Sequence, residues 1–304
     1  MDVAPSTSTR RRYERYTPAS ELVLTARDNA ILCDLHDRRF MNTRQLQAVY
    51  GRNVDERLKW LFRHGYIDRP KAQRVHRLRE GGGSYALIYA LANRGARALV
   101  AKRLRPDAAK KDWNECNLEL SELSSRIPHE LGIADAYVAF RRACVARGFD
   151  LVQGFELAPG KRARALEVPG NDKLLYPDWV FAVARRDAVG EESLFFLEWH
   201  TGSEPNTRYR SPALEHLTGK YEGYLAYARA KRNREQLGIA NFRVLTVTRG
   251  GEAKARNVAE TAYDVCGGVG ASRFLVTSFA ALETHDALEV PWLDESGKEV
   301  RLEI

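Results

Sequence analysis

The sequence predicts a mixed α/β chain (α+β overall) in two parts, a small helical unit closed by a β-ribbon and a larger α/β unit with a mixed sheet. Three observations predict it. Residues 1–110 carry 23 Lys and Arg against 11 Asp and Glu, whereas the remaining residues carry 25 against 29, so the net charge of +8 is concentrated in one third of the chain. In that third, apolar residues recur at helical spacing in short runs, and from Phe149 onward strand-like apolar runs alternate with helical ones. The length of 304 residues suits about two domains of roughly 100–200 residues each.

Composition narrows the function classes. With 44% hydrophobic and 29% charged residues the chain is globular rather than disordered throughout. No apolar run approaches the roughly 18 residues of a membrane span, and Met1 to Tyr16 lacks the apolar stretch of a secretory signal. Cys33, Cys116, Cys144 and Cys266 lie far apart without a CxxC, which argues against a disulfide scaffold or zinc ribbon and fits a reducing cytoplasm. A cationic third favours nucleic acid or an anionic membrane as its partner, with a solvated basic face as the alternative.

Residues 1–22, with the run Arg10-Arg11-Arg12, read as a flexible basic arm. From Ala26, Ile31, Leu32 and Leu35 form one apolar helical stripe. Asn42-Thr43 offers an N-cap for a short helix that Gly51 ends. Asn53, with Glu56 three residues on, can cap a third helix whose Val54, Leu58, Leu61 and Phe62 share a face, and Gly65 ends it. A basic stretch with Gly81-Gly82-Gly83 then leads into an apolar strand from Tyr85 to Leu91, followed by a helix from Ala96 to about Leu104. Three short helices and a ribbon with a basic tip make residues 23–104 a winged helix-turn-helix. Such a unit places a helix in the major groove of double-stranded DNA and its wing on the backbone. Arg52, Arg57, Lys59, Arg63, Arg69, Lys71, Arg74, Arg77 and Arg79 are the candidate phosphate contacts. Winged helices also dock proteins, and that alternative stays open.

Residues 105–125 read as a polar helical linker, and residues 126–304 as the second domain. Its expected elements are a helix from Pro128 to Arg147 and strands over Phe149–Leu157, Leu174–Ala184 and Leu194–His200. A long helix from about Pro212 to Asn233 follows, then a strand (Phe242–Thr248), a helix (Ala253–Val265) and a strand (Phe274–Ser278). The order αβββαβαβ is an α/β sandwich with a mixed sheet. Gly250-Gly251 and Gly267-Gly268 lack the flanks of a nucleotide loop.

Two acids break the apolar pattern: Asp178 in Leu174-Leu175-Tyr176-Pro177-Asp178-Trp179 and Glu198 in Leu194-Phe195-Phe196-Leu197-Glu198-Trp199-His200. A charge in a buried strand costs several kcal/mol unless it is paired or holds a metal. Alternation puts Phe196, Glu198 and His200 on one face of the strand. An acid after proline and a Glu about 20 residues later is the metal-site spacing of PD-(D/E)xK nucleases, where two carboxylates hold Mg²⁺. Structural ion pairs are the alternative. The tyrosines Tyr221, Tyr224 and Tyr227 recur at helical spacing and read as a face that packs on the sheet. No closely spaced His triad supports a tyrosine-nucleophile relaxase.

Together the segments LKWLFRHGYIDRP…YALIYALANRGARAL, IPHELGIADAYVAF, LLYPDWVF, FFLEWHTGSE and GKYEGYLAY resemble the replication-relaxation family of plasmids and other mobile elements, over roughly Ala26 to Ser278. The resemblance implies a bacterial DNA-binding protein whose winged helix is joined to a restriction-endonuclease-like PD-(D/E)xK domain able to nick or relax origin DNA, related to mobilisation relaxases. It implies Asp178 and Glu198 as catalytic acids and ligands of Mg²⁺ or Mn²⁺, with Lys220 as the catalytic lysine, supplied from the adjacent helix because His200 stands where ExK has lysine. His200 is then a third ligand, a base near neutral pH, or a strand cap. The first helix offers a further metal-binding acid, Glu130 ahead of Asp135. Double-stranded DNA is the expected partner, with other replication or mobilisation proteins and a homodimer also compatible. His200 keeps alive the rival reading of a catalytically inactive DNA-binding regulator, and a docking module with paired carboxylates is a third.

Overall fold

The computed structural model describes residues 15, 22–71, 73, 86–110, 112–113, 120–157, 165–169, 174–186, 192–201, 212–267 and 273–304, leaving aside the side chains of 110, 120–125, 155 and 212–215. Both helices and sheets are present, and the chain divides into two compact units, Met1–Val138 and Ala139–Ile304. No helix among the described residues is long and apolar enough to cross a membrane. Cys33, Cys144 and Cys266 are free thiols.

In the first unit the described order is α1 (Ala26–Arg38), β1 (Phe40–Asn42), α2 (Thr43–Tyr50), α3 (Val54–Arg63), β2 (Ile67–Asp68), β3 (Ile88–Leu91) and α4 (Asn93–Ala101). Thr25 caps α1 in a reciprocal box with Asp28, and Asn42 caps α2 in one with Gln45. The Asn42 cap follows the sequence expectation; its reciprocal bond with Gln45 and the Thr25 box are additions. Asn53 departs from it, because its side chain makes no cap bond to α3 and its Oδ1 instead accepts a hydrogen bond from Arg27 at 3.1 Å. Gly65 follows α3 at φ +74°, a left-handed turn that L side chains rarely adopt. Gly95 lets α4 sit against the backbone, since a Cβ there would lie 2.2 Å from the Tyr66 carbonyl oxygen.

The expected two-stranded ribbon is a three-stranded antiparallel sheet in the order β1-β3-β2. β1 is only three residues long, and its partner lies far along the chain, so no local pattern announces it. Gln73 extends the sheet by giving and taking one hydrogen bond with the backbone of Ile88, at 3.0 and 2.9 Å. Ile31, Leu32, Leu35, Leu46, Leu58, Leu61 and Leu91 are buried in this unit. Of the arm 1–22, Arg15 is tied down: it donates to the carbonyls of Phe62 and Ile67 at 3.1 and 3.0 Å and pairs with Asp68 at 2.9 Å. The rest of that arm, apart from Leu22, and the wing tip at 74–85 lie outside the described residues.

Where a helical linker was expected, a 3-10 turn covers Pro106–Lys110, and α5 runs from Leu120 to Arg147 with Pro128 inside it rather than at its start. Tyr137 and Cys144 are buried along α5.

The second unit is built on a seven-stranded mixed sheet in the order β10-β9-β8-β7-β6-β5-β4. Its elements are β4 (Phe149–Gln153), a helical turn α6 (Gly154–Leu157), β5 (Trp179–Arg185), β6 (Glu192–His200), α7 (Pro212–Arg229), α8 (Arg232–Leu237), β7 (Phe242–Thr248), α9 (Gly251–Val265), β8 (Phe274–Ser278), α10 (Phe279–Thr284), β9 (Trp292–Leu293) and β10 (Glu299–Val300). β7 and β8 match the expected bounds. The expected strand 149–157 shortens to β4 and a turn, and the expected strand from Leu174 begins only at Trp179, preceded by a single bridge between Leu166 and Leu175. The helix expected to reach Asn233 divides into α7 and α8. α10, β9 and β10 are additions, too short to leave a periodic signal.

β4, β5 and β6 form an antiparallel meander, and β6, β7 and β8 run parallel through the crossover helices α7 and α9. On one face Phe196, Val244, Phe274 and Val276 pack with Tyr221, Tyr224 and Tyr227 of α7 and with Val258 and Ala262 of α9. On the other face Phe140 of α5 meets Trp179 and Phe181, whose rings stack at 3.9 Å. Burying such rings contributes about 1.5–3 kcal/mol each. The sheet is therefore covered on both sides, which fixes its register where β5 and β6 end.

Candidate active site

The β5–β6 ladder pairs Trp179 with Leu197, so the next pair outward is Asp178 and Glu198. Pro177 has no N–H to continue a ladder. The Asp178 carboxylate instead accepts the backbone N–H of Trp199 at 2.7 Å. Strand alternation then directs Glu198 toward α7, on the face shared with Phe196.

α7 answers with Lys220 and Tyr224, one helical turn apart and so on one face. The Lys220 ammonium donates to Glu198 Oε2 and lies 3.5 Å from Asp178 Oδ1. The Tyr224 hydroxyl donates to Glu198 Oε1 at 2.5 Å. Beside them the Tyr221 hydroxyl bonds the Thr246 hydroxyl at 2.6 Å. The structure thus brings together Asp178, Glu198 and Lys220 from the sequence set. Tyr224 is the residue the sequence reading missed: its packing role is present, yet its hydroxyl also holds the acid. The spacing Lys220–Tyr224 was the available signal.

Burial pushes the Glu198 carboxyl up to about 8, and the neighbouring Asp178 charge adds to this against the opposing pull of Lys220 and Tyr224. Burial alone would lower Lys220, but the two carboxylates outweigh it and hold the ammonium above its ordinary value. Tyr224 is raised by burial and by the Glu198 charge, so its hydroxyl stays a donor. With both acids ionised and Lys220 protonated, the three groups sum to one negative charge in a nearly water-free place. That excess suits either a retained proton or a cation.

The donor set fits a hard divalent cation. Asp178 and Glu198 supply carboxylate oxygens that converge on a single ammonium, and Mg²⁺ is commonly held by one or two carboxylates plus water and phosphate. Among the described residues no group of three or more His, Cys, Asp or Glu forms a fuller cage. His200 is buried at the last position of β6, opposite Thr248, where its carbonyl accepts the Arg249 N–H at 3.0 Å. Glu130 lies in the first unit, where Arg39 approaches it at 3.7 Å, and Asp135 there accepts from Gln45 at 2.6 Å.

The candidate phosphate contacts divide sharply. Arg57 forks onto Asp28, Nε to Oδ1 at 2.7 Å and Nη2 to Oδ2 at 2.5 Å, and also holds the Val23 carbonyl at 2.8 Å. Arg69 is buried, its guanidinium 4.2 Å from the Phe62 ring centroid and 5.3 Å from that of Tyr89. Both arginines are engaged in holding the unit together, which corrects their assignment as surface contacts. Arg52, Lys59 and Lys71 are exposed, Lys59 paired with Glu56, and Arg63 is half-buried with its guanidinium 6.0 Å from the Trp60 ring centroid. Arg44, exposed on α2, is an addition to the set. Arg74, Arg77 and Arg79 lie outside the described residues.

A small helix-and-sheet unit followed by an α/β unit with a carboxylate–lysine cluster defines the class. The sequence model of the replication-relaxation family matches residues 32–242, most of the chain, and the chain belongs to that family. No curated protein and no solved structure matches it.

Proposed function

We propose that the protein binds double-stranded DNA of origin type through its first unit and nicks it in its second by metal-dependent phosphodiester hydrolysis. The observation that carries this reading is the convergence of Asp178 and Glu198 on Lys220 at the end of two paired strands. The winged-helix reading is supported by the order helix–strand–helix–helix–strand–strand with strand order β1-β3-β2. The PD-(D/E)xK reading is supported by the order α5-β4-α6-β5-β6-α7-α8-β7-α9-β8, with Asp178 directly before β5 and Glu198 within the adjacent β6.

Asp178 and Glu198 would hold Mg²⁺ or Mn²⁺. When bound, that ion would ease ionisation of the attacking water and offset charge on the phosphodiester. Lys220, held protonated, donates to the phosphoryl oxygens as negative charge builds on them. Tyr224 keeps Glu198 oriented toward this point. The water oxygen forms a bond to phosphorus, the bond to the leaving oxygen breaks, and that oxygen ends as an alcohol. The exposed cations Arg52, Lys59 and Lys71 would draw the duplex to the first unit.

The test is supercoiled plasmid with protein and Mg²⁺. Conversion to open circles, lost on chelation and in Asp178→Ala, is the expected result; stoichiometric binding with no nicking under any divalent ion would sink the enzyme. The second reading, a catalytically inactive DNA-binding regulator of replication or transcription, is favoured by the engagement of both Glu198 oxygens with Lys220 and Tyr224 and by His200 in place of the usual lysine.

A further inference from the structure

Two features of the second unit flank the carboxylate–lysine cluster. The first is Tyr176, at 55% the most exposed tyrosine, tryptophan or phenylalanine among the described residues. Its backbone is fixed all the same. Leu175, just before it, is buried and exchanges both backbone hydrogen bonds with Leu166, at 2.9 and 3.0 Å. Pro177, just after it, is also buried, and a residue that precedes proline is restricted to extended backbone. Exposure alternates over 174–178: Leu174 and Tyr176 are exposed, Leu175 and Pro177 buried, and Asp178 half-buried. A large ring is thus held in water on a fixed backbone, two residues before an acid of the cluster.

The second is Gly219 of α7, the residue before Lys220. It is exposed, and a Cβ there would meet no described atom within 4 Å. Glycine in the body of a helix is destabilising relative to alanine, and one of its uses is to let another group approach the backbone closely. Gly223, one turn on, has that use inside the chain, because a Cβ there would come 3.3 Å from Leu175 Cδ2. At Gly219 the backbone is left open. The two glycines share a face of α7, and Leu175, packed at Gly223, carries its neighbour Tyr176 alongside. The Glu198 side chain is only 3% exposed, against 15% for Asp178 and 16% for Lys220. A substrate therefore reaches the cluster past Asp178 and Lys220, the two residues that Tyr176 and Gly219 flank. Along the backbone Tyr176 and Asp178 are at most about 7 Å apart.

We propose that Tyr176 stacks an unpaired nucleobase of the DNA strand, and that Gly219 lets the sugar–phosphate backbone of that strand lie against α7 as it reaches Lys220. The ring takes the base whatever its identity, since every base has a π-face. A base stacked on a side chain has left its own stack, so the favoured substrate is a locally melted or single-stranded segment rather than closed duplex. The base contact rests on the second unit taking a DNA strand; only the placing of the neighbouring phosphate at Asp178 and Glu198 rests on the nuclease reading.

The full-length protein is titrated with a short fluorescein-labelled oligothymidylate and with the same sugar–phosphate chain lacking its bases, in EDTA at fixed ionic strength. The two probes carry equal charge, so their difference reads the base contact apart from the cations of the first unit. The wild type should bind the abasic probe about 5–150-fold more weakly. Tyr176→Phe should keep that difference. Tyr176→Ala should lose it and still melt close to the wild type, because the ring is exposed. Gly219→Leu should weaken both probes alike while melting at or above the wild type, since leucine favours a helix and meets no described neighbour there. Equal binding of the two probes by the wild type, which needs no variant, or an undiminished difference in Tyr176→Ala overturns the stacking contact. Unchanged affinity in Gly219→Leu overturns the path along α7. With Mg²⁺, a duplex carrying an unpaired bubble should be nicked with a lower KM than closed duplex, and Tyr176→Ala should raise the KM for the bubble with little change in kcat. Equal KM for bubble and closed duplex overturns the preference for a melted strand. If the probes behave as expected and no DNA is nicked, the base contact stands and the nuclease reading falls.

Discussion

In the first unit each of two buried aspartates meets an arginine fork. Asp28 takes both arms of Arg57, and Asp37 takes both arms of Arg105 at 2.9 and 2.7 Å. In the second unit Asp178 and Glu198 share one lysine. The consequences run in opposite directions. Burial by itself would raise Asp37, yet bonds from His36 and Arg105 pull it down to about 2. Burial raises Glu198 to about 8, and its partners do not reverse it. A buried acid with its own cation is a rivet of the fold. An uneven count of buried charges marks a place that completes itself with a proton, a metal ion or a substrate.

The largest effect should follow from breaking the uneven cluster. Asp178→Ala or Lys220→Ala should lower nicking by at least ~100-fold, in the range seen when one preorganised charge-stabilising group is removed. The fold should persist, which circular dichroism checks. Retained nicking in both variants would equate this cluster with the rivets.

Next comes Arg57→Ala. Removing one partner of a buried pair costs ~3–5 kcal/mol, and because Arg57 is partly exposed we expect about 2–3 kcal/mol. Urea unfolding reads this loss. The salt dependence of DNA binding by the folded variant should be unchanged, since the guanidinium serves Asp28. A flatter salt slope would return Arg57 to the DNA surface.

A smaller effect separates the units by pH. Glu198 holds its proton to about pH 8 in the folded state and only to about 4.5 unfolded. The stability it contributes is therefore full below about pH 4.5 and lost as pH rises through 8. Between these values the wild type should lose up to about 1.4 kcal/mol per pH unit relative to Glu198→Gln, measured without divalent ions. Asp37 has the opposite sign: its contribution is present above its ordinary 3.8 and is lost as pH falls through 2. Parallel pH curves for wild type and Glu198→Gln would remove the retained proton.

The smallest effects belong to the exposed cations. Arg52→Ala, Lys59→Ala and Lys71→Ala should each weaken DNA binding several-fold and lower the salt slope by about one phosphate contact. Affinity unchanged in all three would point to a different DNA surface.

Local pattern made the long elements legible. The stripes of α1 and α3 and the strands β7 and β8 follow from periodicity and from residues at their ends. So does the anomaly of Asp178 and Glu198, because an acid within an apolar run is costly wherever it lies.

Tertiary structure alone decided the rest, because the deciding partners are distant in the chain. β1 exists because β3 passes beside it. Arg57 and Arg69 look like Arg52 in sequence, and only the neighbourhoods of Asp28, Phe62 and Tyr89 turn them inward. That Glu198 meets Lys220 and Tyr224 depends on a crossover helix returning over the sheet at one rotation. Sequence fixes which residues are expensive to bury; three-dimensional packing settles whether each expense is met within the chain or left for a ligand.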